Sequence, residues 1–257
     1  MKSTIGVPLF VSLIAAFVLC ESNASAAPLV LLQDNFNDNA IDPSKWNVVT
    51  SGIPQGNASV TETGGHIELR NRGMLNTAQQ FKPDDPAVGG LRISGQWTFT
   101  ISLDYMEIHT RSDGTPSGTA GEVANGVEFT VNNEDPHAQI LLRNGQPTEV
   151  LAVSATTLAN TATGTFNFVA TDDGNNLSFL VQEVGNPSNS VSVSTTFANV
   201  FASNLITFHN REFRTFQSNV AFLDNVKIES LTLPEPSSAA LALIALTIGA
   251  VRRQRLR

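Results

Sequence analysis

Three acids and one histidine have types and spacing that could carry chemistry. Glu107 and His109 alternate along one run of chain, Asp104 lies just before them, and Glu128 sits in the next alternating run. Two carboxylates flanking a sugar bond are the usual apparatus of glycan hydrolysis, about 5–5.5 Å apart for retention and about 6.5–9.5 Å for inversion. The adjacent apolar residues Tyr105 and Met106 suggest a bulge that shifts the phase of the strand. Such a bulge returns Glu107 and His109 to the polar face with Thr100, Ser102 and Asp104, and makes a Glu107–Glu128–His109 cluster conceivable. The bland expectation, an ordinary solvated sheet face with no catalytic residue, carries more weight.

Two further acids interrupt apolar phases. Val30, Leu32, Asp34 and Phe36 share one face of a first strand, and Val220, Phe222, Asp224, Val226 and Ile228 share one face of a last. A buried carboxylate is costly unless it finds hydrogen-bond donors or a cation. Hard oxygen ligands from Asp34, Asp38 and Asp224, with backbone carbonyls, would suit a structural Ca²⁺. The alternative is that these acids cap turns or face solvent at strand ends. His66, His109, His137 and His209 show no metal-ligand spacing on a shared element. No Gly-x-Ser-x-Gly elbow is present. Sugar-stacking aromatics are scarce: of 15 Phe, two Trp and one Tyr, Trp97 and Tyr105 fall on an apolar phase and are expected in the core. Phe81, Phe213 and Phe216 remain as candidate platforms, and Arg211, Glu212, Phe213 and Arg214 read as a solvated polar loop.

The elements that must position these residues are strands. Asn and Thr together number 47 of 257 residues and Lys only 4, so turn and strand formers dominate over helix formers. Trp97, Phe99, Ile101, Leu103 and Tyr105 alternate with Gln96, Thr98, Thr100, Ser102 and Asp104. Val127, Phe129 and Val131 alternate with Glu128, Thr130 and Asn132. Phe166 and Phe168 lead into Asp172-Asp173-Gly174, and Leu177, Phe179 and Val181 follow, which predicts a hairpin. About a dozen strands with one apolar face each predict an all-β, two-sheet antiparallel sandwich. Gly114 to Gly121 reads as a flexible loop without the spacing of a phosphate-binding loop.

Both ends read as addressing. Lys2, an apolar run from Ile5 to Leu19, and Ala24-Ser25-Ala26 make residues 1–26 a secretory signal peptide, with signal peptidase cutting before Ala27. Pro234-Glu235-Pro236 opens a terminal segment, 234–257, that continues with an apolar run to Val251 and ends in Arg252, Arg253, Arg255 and Arg257. Ser237–Val251 as a helix spans about 22 Å, short of a ~30 Å hydrocarbon core, and flanking arginines can snorkel to make up the difference. The arginines keep that end cytoplasmic and the domain outside. The ends hold Lys2 and four Arg against Glu21 and Glu235, which leaves residues 27–233 with 10 basic and 21 acidic residues. That balance argues against nucleic acid and anionic membranes, so the membrane is met only through the terminal helix. The one cysteine, Cys20, lies in the leader, which excludes a disulfide or thiolate chemistry in the mature domain.

The C-terminal order of Pro-Glu-Pro, short apolar helix and Arg tail resembles the PEP-CTERM sorting signal of Gram-negative bacteria. The resemblance implies recognition by an exosortase, cleavage near Pro234-Glu235-Pro236, and delivery to the cell surface, outer envelope or extracellular matrix. It also brings an association with exopolysaccharide. Asp34-Asn35-Phe36-Asn37-Asp38 with Ile41-Asp42-Pro43-Ser44-Lys45-Trp46, the run Gly164 to Phe179, and Phe222 to Ile228 are together similar to concanavalin A-like lectin/glucanase domains. This second resemblance implies a jelly roll that pairs its first and last strands, often holds calcium there, and buries Trp46. Laminarinase-type members carry Glu-x-Asp-x-x-Glu on one strand, and this sequence has no such run. The reading is an exported, surface-sorted, non-catalytic domain that binds extracellular polysaccharide or assembles in the envelope. A polysaccharide hydrolase or lyase, and a purely structural matrix protein, are the alternatives.

Overall fold

The computed structural model describes residues 28–53, 57–100, 104–118, 121–133, 135–145, 148–159, 163–199, 201–212 and 220–231, within a compact unit Pro28–Thr232. The signal-peptide and sorting segments, with Ala24, Ala26, Pro234, Glu235, Pro236, Arg252 and Arg253, lie outside the described residues, as do Phe213 and Phe216.

Fifteen strands are described. In chain order they are β1 (Val30–Asp34), β2 (Trp46–Val49), β3 (Ser59–Thr63), β4 (His66–Arg70), β5 (Met74–Thr77), β6 (Leu91–Phe99), β7 (Asp104–Ser112) and β8 (Asn125–Asn132). Then come β9 (His137–Asn144), β10 (Glu149–Thr157), β11 (Gly164–Asp172), β12 (Asn176–Glu183), β13 (Ser190–Thr196), β14 (Leu205–Glu212) and β15 (Val220–Ser230). One sheet runs β13-β12-β11-β6-β15-β4-β3, with β1 also on β15, and the other runs β10-β9-β8-β7-β14-β5-β2. The pairings between named strands are antiparallel, and the two sheets make the expected sandwich. First and last strands do pair, Leu32 against Ile228 and Asp34 against Val226.

Alternation builds the core. Val127, Phe129 and Val131 of β8 point inward with Met106 and Ile108 of β7, and Trp97, Phe99, Phe166, Phe168 and Phe179 point inward from the other sheet. The sheets meet through ring pairs, Phe168 with Phe208 at 6.2 Å and Phe129 with Phe179 at 5.8 Å between centroids. Each such side chain contributes about 1.5–3 kcal/mol by leaving water. Trp46 is buried as expected, against Phe36 and Phe208. The hairpin across Asp173-Gly174 forms in register, Asp172 opposite Leu177.

Two local expectations fail. The long run from Gln96 to Tyr105 is not one strand: β6 ends at Phe99 in one sheet and β7 begins at Asp104 in the other. The phase therefore changes at this crossing between sheets, not at a bulge, and Tyr105 leaves the core to lie half-exposed under Arg211, 4.8 Å from its guanidinium. On β15 the core phase is Ala221 and Leu223, then Val226 and Ile228. A bulge between Asp224 and Lys227, with Asn225 at φ 53°, resets it. Asp224 thus stands off the apolar phase, and Phe222 faces outward onto His66, 4.3 Å between ring centroids. Gly95 makes room for the Phe168 ring and the bulge, since a Cβ there would come within 2.7 Å of the ring and 3.1 Å of the Asp224 carbonyl oxygen.

Candidate functional site

The outer face of the second sheet gathers the acids and histidines. On β7, Met106 and Ile108 face the core, so Glu107 and His109 face away from it. Antiparallel pairing sets Glu107 opposite Thr130 and His109 opposite Glu128 on β8, and Glu107 opposite His209 on β14. Arg143 of β9 adds a guanidinium, and Glu122 folds over from the loop between β7 and β8. That loop is pinned rather than free, by a bridge between Pro116 and Val123 and by Ser117 N donating to Glu122 O at 2.6 Å.

The contacts are close. His209 Nδ1 lies 2.7 Å and His109 Nε2 3.4 Å from Glu107 Oε2. Arg143 donates through Nε to Glu128 and through Nη1 to Glu122 at 2.6 Å and Thr148 at 2.7 Å. Arg211 Nε sits 2.7 Å from the other oxygen of Glu122. The side chains of Glu107, Glu128, His109 and His209 have no exposure to solvent. Burial alone would push Glu107 up. Bonds to His109 and His209 and the charges of His209 and Arg143 outweigh it and hold the carboxyl well below the usual carboxylate range. Burial and the Glu107 charge push Glu128 up, with Arg143 opposing. Burial pulls His209 below 6.5, and its bond to Glu107 only partly offsets that. A carboxyl held low beside one pushed up is the arrangement of an acid–base pair. These groups are closed to solvent, however, and each carboxylate is tied to a guanidinium or an imidazole.

The conceivable cluster of Glu107, Glu128 and His109 is thus real, but it is a buried network rather than a solvated face. Asp104 is buried elsewhere on the strand, its N–H bonded to Asn133 Oδ1. The histidines are not all scattered, because β7–β14 pairing joins His109 to His209. The sequence signal for His209 was its phase, opposite to the core residues Ile206 and Phe208. Among the described residues, Glu107, His109 and His209 form a group whose ligand atoms all lie within 4.8 Å of one another.

An open groove lies at one end of the same sheet. Arg111, Asn199 and Phe201 line both of its halves. The larger half, about 380 Å³, adds Asp113, Asn125, Asn144 and Ser203. Asn125 stands opposite Asn144 in register and donates to Asp113 Oδ2 at 2.6 Å. Arg111, at φ 53°, is fixed by Asp172 and donates to the Asn199 carbonyl at 2.7 Å. Phe201 is half-buried, packed against the core edge with Phe197 at 6.4 Å between ring centroids. Of the aromatic platforms expected from sequence, Phe81 is buried, 7% exposed, packed into the core. Phe201 was missed because nothing local marks an aromatic in an irregular segment as part of a groove.

Asp34, Asp38 and Asp224 do not converge into a comparable ligand cluster among the described residues. Asp34 accepts from Phe36 N at 3.1 Å, Trp46 Nε1 at 2.9 Å and Lys45 Nζ at 3.2 Å, so its carboxylate is satisfied by the fold's own donors. Asp224 caps its neighbour, accepting from Asn225 N at 2.6 Å and Nδ2 at 2.9 Å. Asp38 faces Glu62, whose carboxyl is raised by burial and by that acid.

No family model matches the chain, and none of the curated proteins matches it in sequence. Solved structures match in shape. The exoplasmic/lumenal domain of VIP36 in its Ca²⁺/Man3GlcNAc-bound form superposes with a TM-score of 0.56 at 11% identity, over 81% of this chain and 94% of that one. Its Ca²⁺-bound form gives 0.58 at 11% identity, over 80% and 92%. The CBM2 module of the evolved Dit of Lactobacillus casei BL23 phage J-1 gives 0.53 at 10% identity, over 80% and 97%. At these identities the likeness shows the fold alone, a two-sheet antiparallel jelly-roll sandwich.

Proposed function

We propose that this chain is an exported, surface-sorted protein whose jelly-roll domain binds glycan without cleaving it, at the groove around Arg111 and Phe201. One observation carries the proposal: a half-buried aromatic ring adjoins a row of pre-positioned amide and carboxylate groups at the ends of three neighbouring strands. Sugar recognition needs that pairing of an apolar face with a few fixed polar groups. The fold's likeness to VIP36, solved with Man3GlcNAc and Ca²⁺, supports the same reading. The closed, ion-paired state of Glu107 and Glu128 supports binding over hydrolysis. Export and sorting rest on the terminal segments, with signal peptidase and an exosortase as processing partners.

The test is binding of the purified full chain to a panel of polysaccharides, with and without calcium, beside Phe201→Ala. Saturable binding that the variant loses supports the proposal. Binding that Phe201→Ala leaves intact moves the site elsewhere, and release of new reducing ends favours the enzyme. Mass spectrometry of the surface form tests sorting: the expected product lacks both residues 1–26 and the Arg tail.

A further inference from the structure

We infer that Glu107, His109 and His209 form a buried site for a divalent transition-metal ion of the zinc type, independent of glycan binding. No metal is assigned to these residues by the fold or by the groove. The two imidazoles converge on one oxygen, Glu107 Oε2, at 2.7 Å from His209 Nδ1 and 3.4 Å from His109 Nε2. Donor atoms bound to one ion at about 2.0–2.2 Å stand roughly 3–3.5 Å apart; the 3.4 Å separation has that spacing, the 2.7 Å one is shorter and would open as an ion enters, and all the ligand atoms lie within 4.8 Å of one another. The ligand set, two nitrogens and one carboxylate oxygen, is one that zinc and its neighbours take.

Unpartnered atoms point the same way. Among the described residues, His109 makes no hydrogen bond of normal geometry, only the 3.4 Å contact of Nε2 with Glu107, and His209 Nε2 and Thr130 Oγ1, directly across the ladder from Glu107, have no partner. Buried polar atoms left open in this way are costly, and a cluster of them calls for a missing occupant. The guanidiniums do not block it: Arg211 and Arg143 stand 3.9 Å and 4.0 Å from the opposite oxygen, Glu107 Oε1. The ligands sit on β7 and β14, paired strands at the centre of their sheet, so the site is rigid.

The test starts from the chelator-treated full chain titrated with Co²⁺, whose visible bands report four- or five-coordinate nitrogen and oxygen ligation. One equivalent is expected to bind, zinc is expected to displace it, and X-ray absorption of the zinc form is expected to show two imidazoles. The chain has four histidines, so the double variant His66→Ala/His137→Ala leaves only the two proposed ligands. Both removed rings are partly exposed, and this variant is expected to fold and to bind as the wild type does. His209→Ala is expected to weaken binding by more than about a hundredfold. Absence of binding by the wild type, absence of imidazole ligands, or loss of binding in the double variant each overturns the inference. Glycan binding is read separately at Phe201, so either result stands without the other.

Discussion

Arg111 of one sheet and Asp172 of the other form a buried two-bond ion pair, Nε to Oδ2 at 2.9 Å and Nη2 to Oδ1 at 2.5 Å. Thr110 donates to the same carboxylate at 2.6 Å. The pair joins the sheets beside the core and sets the guanidinium at the floor of the groove, between Phe197 and the Asn199 carbonyl. Removing one partner strands the other charge in a dry place. Asp172→Ala should therefore cost about 3–5 kcal/mol in urea unfolding and should weaken glycan binding as well. A cost below about 1 kcal/mol would show that the pair is dispensable.

Glu107 and Glu128 share a network but differ in what they do, and their amide variants should differ too. Glu107 is held low by its 2.7 Å bond to His209, its 3.4 Å contact with His109 and the Arg143 charge, so Glu107→Gln removes a buried charge on which these groups lean. Burial and the Glu107 charge raise Glu128, with Arg143 opposing, so its charge contributes less to the fold than that of Glu107. Expected costs are about 3 kcal/mol for Glu107→Gln and about 1 kcal/mol or less for Glu128→Gln. Equal costs would contradict the asymmetry.

Asp34 closes the first turn through three donors. Asp34→Ala should cost about 1–3 kcal/mol, because the Trp46 indole N–H and the Phe36 amide lose their acceptor. Calcium added to the chelated wild type should leave the melting temperature unchanged. A calcium-dependent rise that Asp34→Ala abolishes would restore the ion to the terminal strands.

Asp173 offers a pH test at the β11–β12 turn. Slight burial pushes its carboxyl up, but bonds from the Asn176 side chain and amide and from the Asn175 amide outweigh that and hold it below 3.8. The sign follows: a depressed folded value means that the stabilising contribution is complete above about 3.8 and fades as the pH falls through the folded value. An NMR titration of the carboxyl carbon should give a midpoint below 3.8, and one at or above it would show that the cap is not formed.

Much of the scaffold was legible because local alternation reports a face directly. Val127, Phe129 and Val131 are buried and Glu128 and Thr130 oppose them, as their period of two requires. Asp173-Gly174 marked its hairpin by turn chemistry. Alternation carries no information on which sheet a strand joins, so Trp97 through Tyr105 read as one strand while the chain crosses between sheets. It also cannot foresee a bulge, and Asn225 in the left-handed region moves Asp224 off the phase it was assigned. Glu107, His109 and Glu128 could be brought together on paper because β7 and β8 are neighbours in sequence. His209 could not, since the pairing that brings it to Glu107 spans 102 residues of chain. The groove was hidden for the same reason: Asp113, Asn144 and Phe201 meet only through the sheet.

The central claim is that the Arg111–Phe201 groove binds glycan. The most direct measurement is the affinity of the full chain, with calcium present, for the polysaccharide it binds best, set beside that of Phe201→Ala. Removing this ring should weaken binding at least tenfold, or about 1.4 kcal/mol, with the variant still folded at the assay temperature. Undiminished binding in Phe201→Ala, or no binding by the wild type to any glycan of the panel, would contradict the account.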